Sequence, residues 1–330
     1  MEKRKIIAIV GPTASGKTGW GVYVAKKLNG LPTLPSAKTM QAGEIISADS
    51  RQIFRGLNIG TGKDLKEYGE IKHYLIDICN PGEKFTMFDW LDKAKIVIED
   101  IFSRGKTPII VGGTGLYIQA FAEGFELSQK SKVESRKSNL KLKIYSREKL
   151  EKKPLGELQK IFLKLQIENC KIDLNNPHRL IRVIERAQSG EVVTKRKPDF
   201  QVLQIAVDLP REVLYQRIDQ RVEEWFEDGF VEEIQGLLNT GVDSKWLEKI
   251  GLEYKILTEF LLCHSEFISG SFEIPKQVRN DNEFKKMKQK MKYAIHAYAR
   301  RQLTWFRRFP EIIWCKDIEV AEKEIEKFLL

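Results

Sequence analysis

"IAIVGPTASGKTGW", the stretch from Ile7 to Trp20, has the glycine spacing of a phosphate-binding loop. Gly11, Gly16, Lys17 and Thr18 match the pattern G-x-x-x-x-G-K-[ST]. The apolar run just before the first glycine predicts a short buried parallel strand, and we expect a helix to begin near Lys17. Strand, loop and helix therefore favour a phosphate-binding site over a glycine-rich turn without a ligand.

The chemistry of this loop depends on its backbone and on two side chains. Glycines let the chain turn so that successive N–H groups point at anionic oxygens, and the following helix adds the positive end of its dipole. We expect Lys17 to neutralise phosphate charge and Thr18 to ligate Mg²⁺. The residues assigned to phosphate binding are Gly11, Pro12, Thr13, Ala14, Ser15, Gly16, Lys17 and Thr18. The motif alone leaves the reaction open.

Composition indicates one large domain and a smaller one, because the chain has 330 residues, of which 42% are apolar and 31% charged. No apolar run approaches the roughly 20 residues that a bilayer span requires, and the amino terminus leads directly into the first strand. We therefore expect a cytoplasmic protein without a membrane span. The four cysteines and four histidines lack ligand spacing, so neither a disulfide framework nor a zinc site is indicated.

Positive charge is concentrated in two segments of a chain whose formal net charge is +10. Residues 285–309 hold nine Lys or Arg and no Asp or Glu, with five aromatic residues interleaved. Residues 130–153 hold ten basic residues against three acidic ones. A run of charge is often only a solvated face, but two such runs together favour a nucleic-acid partner.

Strands that alternate with helices predict an α/β fold with a doubly wound parallel sheet of the phosphate-loop type. The expected strands are 6–10, 44–48, 73–78, 106–111 and 201–209. Thr86 is expected to cap the helix between the third and fourth strands. The lysine-rich, strand-poor sequence at 127–200 predicts a helical insertion domain between two parts of the core, 1–126 and 201–330. Further insertions are expected near 31–41 and, at the surface, near 263–283.

Residues that follow the strands are candidates for ligand contact, because ligands bind at the carboxyl ends of the strands in open parallel sheets. They include Asp49 to Gln52 after the second strand and Gly112 to Thr114 after the fourth. Asp49 is then expected to face the phosphate loop. Its carboxylate could associate with magnesium or act as a general base, and an aspartate here could also simply cap a turn.

Six segments taken in chain order resemble the tRNA dimethylallyltransferases, also called tRNA isopentenyltransferases. They are "GPTASGKT", "GEIISADSRQIFRGLNIGTGK", "VGGTGLYIQA", "NPHRLIRVIE", "KIGLEYK" and "ARRQLTWFRR". The resemblance covers nearly the whole chain, and all segments but the first are particular to that family. It implies transfer of a dimethylallyl group from dimethylallyl diphosphate to the exocyclic amine of the adenine on the 3′ side of the anticodon. The phosphate loop would then hold a diphosphate, with Mg²⁺ as cofactor.

The resemblance also implies an RNA-binding surface for the tRNA anticodon stem-loop, in a protein that we expect to be a monomer. The implied tRNA-binding residues are Asp49, Ser50, Arg51, Gln52, Thr114, Arg136, His178, Arg179 and Arg182. Two departures from the family pattern stand out. His178 occupies a position where glutamine is usual, and Phe54 one where tyrosine is usual. The substrate base must leave its stack to react, so we expect it to be extruded into the site.

The catalytic set implied by the resemblance is Asp49, Lys17, Thr18 and Arg221. Asp49 is the general base that takes a proton from the adenine amine, and Arg221 helps to hold the diphosphate. Arg221 has an alternative interpretation as a surface helix arginine paired with Glu224 or Glu227.

Two other functions share the phosphate loop. A nucleotide or small-molecule kinase would usually carry an aspartate at the end of a neighbouring strand, whereas "PIIV" runs into Gly112 and Gly113. A nucleic-acid-binding NTPase switch would carry N-K-x-D and D-x-x-G segments, which the sequence lacks. Both alternatives predict consumption of a nucleoside triphosphate.

Overall fold

The computed structural model of the protein describes residues 3–30, 42–63, 65–129, 145–165, 172–263 and 282–330. The predicted insertion at 31–41, most of the one at 263–283, and Arg136 lie outside these ranges. The chain divides into two units, the first formed by Met1–Ala122 with Pro198–Leu330 and the second by Glu123–Lys197. The sequence analysis places the boundaries of the insertion at 127 and 200.

The described residues form eight strands and thirteen helices. The strands are β1 (Arg4–Val10), β2 (Gly43–Ser47), β3 (His73–Tyr74), β4 (Thr107–Gly112), β5 (Phe125–Gln129), β6 (Glu191–Lys195), β7 (Phe200–Val207) and β8 (Ile312–Cys315). The helices are α1 (Lys17–Gly30), α2 (Leu65–Tyr68), α3 (Met87–Ser103), α4 (Gly115–Ala122), α5 (Arg147–Glu151), α6 (Leu155–Lys164), α7 (Pro177–Ser189), α8 (Arg211–Glu227), α9 (Phe230–Asn239), α10 (Ser244–Ile250), α11 (Leu252–Cys263), α12 (Asn282–Phe306) and α13 (Ile318–Leu329).

The sheet of the first unit has the order β3-β2-β4-β1-β7-β8, and all its neighbouring strands are parallel. Residues 6–10 of β1 are fully buried apolar side chains, as expected for a central strand covered by helices on both faces. In the register, Val10 lies opposite Gly112 and Ser47 opposite Val111. The carboxyl ends of β1, β2 and β4 therefore meet at one edge of the sheet, which confirms the predicted fold class.

Two apolar clusters hold the first unit together. One packs α1 and α13 against the strands, through side chains such as Val24 and Ile325. The other joins helices α8, α9, α11 and α12 and contains the fully buried Phe230 and Tyr254. Phe54, the departure from the family tyrosine, belongs to this second cluster and meets the Trp246 ring edge-on at 5.0 Å. The second cluster thus fixes α12 beside the edge of the sheet where the strands end.

The predicted strand at 73–78 is wrong in length, because β3 ends at Tyr74. Leu75 and Asp77 have φ angles of 61° and 54°, in the left-handed region that side chains rarely adopt. The Asp77 N–H donates to the Gln52 carbonyl at 3.1 Å, and the Asp77 carboxylate lies 2.6 Å from the buried ammonium of Lys63, so the chain here bonds to residues after β2 instead of continuing β3. The predicted cap of α3 is confirmed, since Thr86 and Asp89 form a reciprocal capping box.

The second unit contains three helices and also a strand pair that the sequence analysis did not predict. β5 and β6 pair in antiparallel register from Phe125–Lys195 to Gln129–Glu191. Its core consists of apolar side chains on α5, α6 and α7: Leu150, Leu158, Leu180, Ile181 and Ile184. α7 begins at an Asn176 cap and ends at Gly190, whose φ of 71° suits glycine. The predicted helical insertion is therefore a small mixed unit.

A buried carboxylate anchors the amino end of β2. Glu44 is only 1% exposed and accepts hydrogen bonds from Arg104 through both guanidinium Nη atoms, from Lys106 and from Tyr74, at 2.6 to 2.7 Å. Burial alone would raise the pKa of Glu44, but these donors outweigh it and lower the pKa to about 2. Because the folded-state pKa is depressed, the stabilisation is present above pH about 4.5 and is lost as the pH falls towards 2.

Glu44→Gln is therefore expected to lower the free energy of unfolding by about 1–3 kcal/mol at pH 7. The difference in stability between the two proteins should narrow as the pH falls below about 4.5, because Glu44 takes up a proton in the unfolded chain while the folded carboxylate stays ionised down to about pH 2. Urea denaturation from pH 3 to pH 7 measures this. Glu99→Gln, which removes an exposed partner of Arg4, is the matched control and should change stability by less than about 1 kcal/mol. A difference in the free energy of unfolding between Glu44→Gln and the parent that does not depend on pH would contradict the lowered pKa of Glu44.

Candidate active site

A cleft opens in the first unit where β1, β2 and β4 end. It brings together the phosphate loop, the turn after β2, the end of α2 and residues of α8 and α12. Its lining residues are Thr13, Ala14, Gly16, Lys17, Thr18, Asp49, Arg51, Gln52, Thr61, Gly62, Glu67, Tyr68, Val111, Gly112, Arg221, Tyr298 and Gln302. Most of the predicted loop and several of the predicted post-strand residues therefore share one site.

The phosphate loop has the backbone conformation that its glycines predict. Gly11 and Gly16 have φ angles of 152° and 86°, and Ala14 also lies in the left-handed region at 61°. A non-glycine residue in this region stores strain of the kind that collects at ligand sites. Thr18, at the start of α1, presents its side chain to the cleft.

Lys17 carries a strongly perturbed ammonium group. Its Nζ donates to the Pro12 carbonyl at 3.3 Å. Burial lowers the pKa of Lys17 to about 8; the positive charges of Arg221 and Arg51 also lower it, while Asp49 acts in the opposite direction. An anion bound in the loop would restore the ordinary pKa, so the free site favours a negatively charged ligand.

Asp49 caps a turn and also lines the cleft, so its role as a turn cap does not exclude a chemical role in the site. Its Oδ1 accepts a hydrogen bond from the Arg51 backbone N–H at 2.9 Å. The neighbouring Ser50 N–H donates to Thr114 Oγ1 at 3.0 Å, and the Thr114 hydroxyl lies 3.4 Å from Ser50 Oγ. The turn after β2 is thereby joined to the turn after β4. These contacts fix the residue that follows Asp49.

Gln52 shapes the opposite wall. Its Nε2 donates to the carbonyls of Thr61 and Gly62, both at 3.3 Å, and its Oε1 accepts from Ser47 Oγ at 3.2 Å. The side chain that was predicted to contact tRNA thus also holds a neighbouring loop. Arg221 reaches the same loop, since a Cβ on Gly62 would lie 3.5 Å from its guanidinium. Arg221 therefore faces the cleft, as the resemblance implies.

Gln302 was missed by the sequence analysis although its motif was recognised. It is 8% exposed, and its Oε1 accepts from the Thr13 backbone N–H at 2.9 Å while its Nε2 donates to the Gly113 carbonyl at 2.9 Å. One amide thereby connects the phosphate loop with the turn after β4. Tyr298 lies one helical turn earlier and lines the same cleft, so α12 supplies a wall of the site.

The glycines of "GGTG" are explained by close packing. A Cβ on Gly112 would lie 2.3 Å from the Ala48 carbonyl oxygen, and one on Gly115 would lie 2.3 Å from the Trp305 ring. The Ala48 backbone and the Trp305 ring lie so close to these glycines that no side chain would fit there. The turn after β4 can therefore touch both β2 and α12.

Three predicted tRNA-binding residues lie in the second unit. His178, Arg179 and Arg182 are all exposed on α7, while Leu180 and Ile181 point into the core of that unit. The Arg182 guanidinium lies 3.8 Å from the Glu185 carboxylate and 3.5 Å from that of Glu191. The exposed face of α7 is therefore basic, but the carboxylates of Glu185 and Glu191 neutralise part of its charge.

Only some of the basic side chains on α12 are exposed and could contact a partner. Lys285, Lys286, Lys290, Arg300 and Arg301 are exposed, and Tyr293 is 63% exposed. Lys288 and Lys292 instead pair with the Glu223 carboxylate of α8. The run thus contains an exposed basic surface with an aromatic side chain and a separate pair of lysines that join two helices.

Oxygen donors suitable for magnesium occur in the cleft. The Thr18 hydroxyl and the carboxylates of Asp49 and Glu67 all line it. Within the described ranges, no group of three or more His, Cys, Asp or Glu side chains is arranged to hold a metal. Mg²⁺ commonly uses one or two protein oxygens together with substrate phosphates and water, so the residues present fit that ion. Glu67 was not among the predicted residues.

Together, the parallel sheet, the phosphate loop and the cationic cleft with its carboxylate define a phosphate-loop transferase. The model of the IPP transferase family matches residues 52–309, and the chain belongs to that family. The tRNA dimethylallyltransferase 2 of Shewanella sediminis is 40% identical over 312 residues, which are 93% of this chain and 90% of the relative.

Solved structures agree with this assignment. The tRNA isopentenylpyrophosphate transferase of Bacillus halodurans superposes with a TM-score of 0.63 at 29% identity, covering 99% of this chain and 97% of its own. A eukaryotic dimethylallyltransferase described as acting on tRNA has a TM-score of 0.64 at 24% identity, covers 96% of this chain and 75% of its own, and shares the fold. Among the helices in the described part of the chain, none combines the length and apolarity needed to cross a bilayer.

Gln302→Leu is expected to weaken the binding of inorganic diphosphate by about ten-fold or more, because two buried backbone groups lose their partner at about 1–3 kcal/mol each. Isothermal titration calorimetry with diphosphate and Mg²⁺ measures the change. Thr304→Ala, on the exposed side of the same helix, removes only a hydrogen bond to the Arg300 carbonyl and is the control. Equal diphosphate affinity in Gln302→Leu and the parent would show that the bridge does not support the loop.

Proposed function

We propose that this protein transfers a dimethylallyl group from dimethylallyl diphosphate to the exocyclic amine of the adenine on the 3′ side of the anticodon in tRNA. The amine nitrogen attacks the allylic carbon, the bond from that carbon to the diphosphate oxygen breaks, and the amine proton goes to a base. The observation that carries the proposal is that Asp49 and the phosphate loop line the same cleft. Family membership supports the tRNA substrate.

The phosphate loop is suited to stabilise the leaving diphosphate. Negative charge grows on the leaving oxygen as the bond breaks, and fixed positive charge nearby lowers that barrier. Lys17 and Arg221 supply it from two sides. With a pKa of about 8, Lys17 is about nine-tenths protonated at pH 7 even before the substrate binds. Mg²⁺ held by Thr18, with Asp49 or Glu67 nearby, would add charge neutralisation at the diphosphate.

Asp49 is suited to accept the amine proton. Its carboxylate lines the cleft, and the turn that follows fixes its orientation through the Arg51 amide. A positioned carboxylate is a common general base. Thr18 and Glu67 also line the cleft and can supply oxygen ligands, so the proposed base role of Asp49 still leaves ligands for Mg²⁺.

RNA binding would use exposed cationic and aromatic side chains. On α12 these are the lysines and arginines around Tyr293, and on α7 they are Arg179 and Arg182. Single-stranded loops are recognised by stacking on aromatic rings and by contacts to phosphates, and the reacting base must be splayed out. The proposed partner is therefore the anticodon stem-loop. The monomeric state and the cytoplasmic location stay predictions.

A kinase is the alternative that shares the loop. The end of β4, where such an enzyme would carry its magnesium-binding aspartate, is Gly112, whose backbone lies against the Ala48 carbonyl and leaves no space for a side chain. At Gly113 a Cβ would lie 2.7 Å from Gln302 Nε2. The crowding at both glycines favours the transferase.

The deciding experiment incubates the protein with tRNA and Mg²⁺ and with either dimethylallyl diphosphate labelled in the allyl group or ATP labelled in the terminal phosphate. Label is expected to enter tRNA from the first and to stay in ATP in the second. Transfer or release of the ATP label without allyl transfer would overturn the proposal.

Asp49→Asn is expected to retain tRNA binding but to lose about 10²- to 10⁴-fold in single-turnover rate, because a carboxamide cannot accept the amine proton. Rapid-quench measurement at saturating substrates gives the rate, and a binding titration gives the tRNA affinity. Asp92→Asn, an exposed aspartate on α3, is the control. An unchanged rate in Asp49→Asn would remove this residue from the mechanism.

Lys17→Ala is expected to raise the dissociation constant of dimethylallyl diphosphate and to lower the transfer rate together, because the diphosphate is charged in the ground state and becomes more so in the transition state. Affinity for tRNA should hardly change. Calorimetry with the prenyl diphosphate measures the first effect, with Lys26→Ala on the exposed face of the same helix as control. Intact affinity in Lys17→Ala would mean that the loop holds something else.

A further inference from the structure

A buried ion pair lies directly behind the proposed base. Glu253, in the first turn of α11, is 1% exposed, and its carboxylate pairs with the guanidinium of Arg51, whose side chain is 14% exposed. Burial of an ionised group is costly unless it is paired, so each of these side chains requires the other. Arg51 is two residues from Asp49 and lines the same cleft.

The surroundings are built to accept the guanidinium. A Cβ on Gly251 would lie 3.3 Å from Arg51 Nη1, and the φ of 151° at Gly251 suits glycine. The Tyr298 ring lies 5.7 Å from the Arg51 guanidinium carbon, within the range of a cation–π contact. Arg51 is thus enclosed by α11 and α12 and is poorly placed to grip an RNA phosphate.

Two carboxylates compete for this guanidinium. Burial disfavours the charged form of Arg51, but the charges of Glu253 and Asp49 outweigh it and raise the pKa of Arg51. Burial raises the pKa of Glu253, and the Arg51 charge opposes that shift. Tyr298 and Tyr254 also face Arg51. The Arg51 backbone, but not its guanidinium, holds Asp49 in the structure.

We propose that Glu253 is a positioning residue that keeps the Arg51 guanidinium away from Asp49, so that the Asp49 carboxylate stays available for the substrate proton. This rests on the proposed role of Asp49 as base. If Glu253 loses its charge, Asp49 is the carboxylate that remains to attract the Arg51 guanidinium in the cleft that both residues line. A carboxylate engaged by that cation is a weaker base and is turned away from the amine.

The first test compares Glu253→Gln with the parent. Its single-turnover rate at saturating substrates is expected to fall about 10- to 100-fold, while the dissociation constants for tRNA and for dimethylallyl diphosphate stay within about three-fold. Glu259→Gln, on the same helix with exposed lysine partners, is the control and should match the parent. A purely structural role would instead lower the melting temperature and leave the rate of the folded protein unchanged, which would overturn the proposal.

The second test removes both charges. Arg51→Met combined with Glu253→Met should be at least about ten-fold faster than Glu253→Gln, because the Arg51 guanidinium that would capture Asp49 is then absent. In an Asp49→Asn background, Glu253→Gln should cause no further loss, since the base through which it acts is absent. A double variant as slow as Glu253→Gln, or additive losses with Asp49→Asn, would contradict the positioning role.

The Arg51→Met variant also tests whether Arg51 contacts RNA directly. If Arg51→Met raises the tRNA dissociation constant more than about ten-fold with an unchanged transfer rate, Arg51 binds RNA and the proposal fails. Failure of the proposed function has a different signature, because the parent protein would then transfer no allyl label to tRNA at all. Only a parent that transfers label enters the comparison.

Discussion

The burial of positive charge in one cleft, with repulsion among the cations as a smaller contribution, is the constraint on which the active site depends. Lys17, Arg51 and Arg221 converge there, and burial together with the two arginines lowers the pKa of Lys17 to about 8. Carboxylates, among them Asp49 and Glu253, partly balance this charge. A bound diphosphate would relieve the repulsion, so the site favours an anion before its organic part makes any contact.

The sheet makes this concentration of charge possible. Parallel strands bring the ends of β1, β2 and β4 to one edge, and the glycines after β4 let backbone, ring and amide groups pack where side chains would not fit. Gln302 then ties the phosphate loop to that turn from α12. The rigid backbone holds the cations at fixed positions, so little reorganisation is needed when charge develops on the leaving group.

Local patterns in the sequence were sufficient to place the phosphate loop and Asp49 at the same edge of the sheet, whereas the role of Asp49 as base came from the resemblance and stays a prediction. The glycine spacing around Lys17 predicts a backbone conformation within eight residues, and Asp49 follows a strand whose end must lie at the ligand edge. The resemblance placed Arg221 at the cleft. These predictions needed no knowledge of long-range packing beyond the order of strands in a parallel sheet.

The parts that the sequence analysis missed depend on contacts between distant segments. Gln302 lines the cleft, and Glu253 reaches Arg51, because α11 and α12 pack in the same cluster as the residues after β2. Helical periodicity gives no sign of these contacts. β5 and β6 are short and lie more than sixty residues apart, so the sequence of one strand gives no sign that it pairs with the other. The strand predicted at 73–78 ends after Tyr74, because Leu75 and Asp77 take left-handed φ angles and the N–H groups of residues 77–79 donate to the carbonyls of Gln52 and Ile53.

The charge balance of the cleft can be measured directly as proton uptake when diphosphate binds. Calorimetric titrations at pH 8, in buffers of different ionisation enthalpy, should show that the parent takes up about half a proton more than Lys17→Ala, because Lys17 is half protonated when free and fully protonated beside the anion. The difference should nearly vanish at pH 6.5, where the ammonium is already charged. Equal uptake by the two proteins at pH 8 would contradict the account.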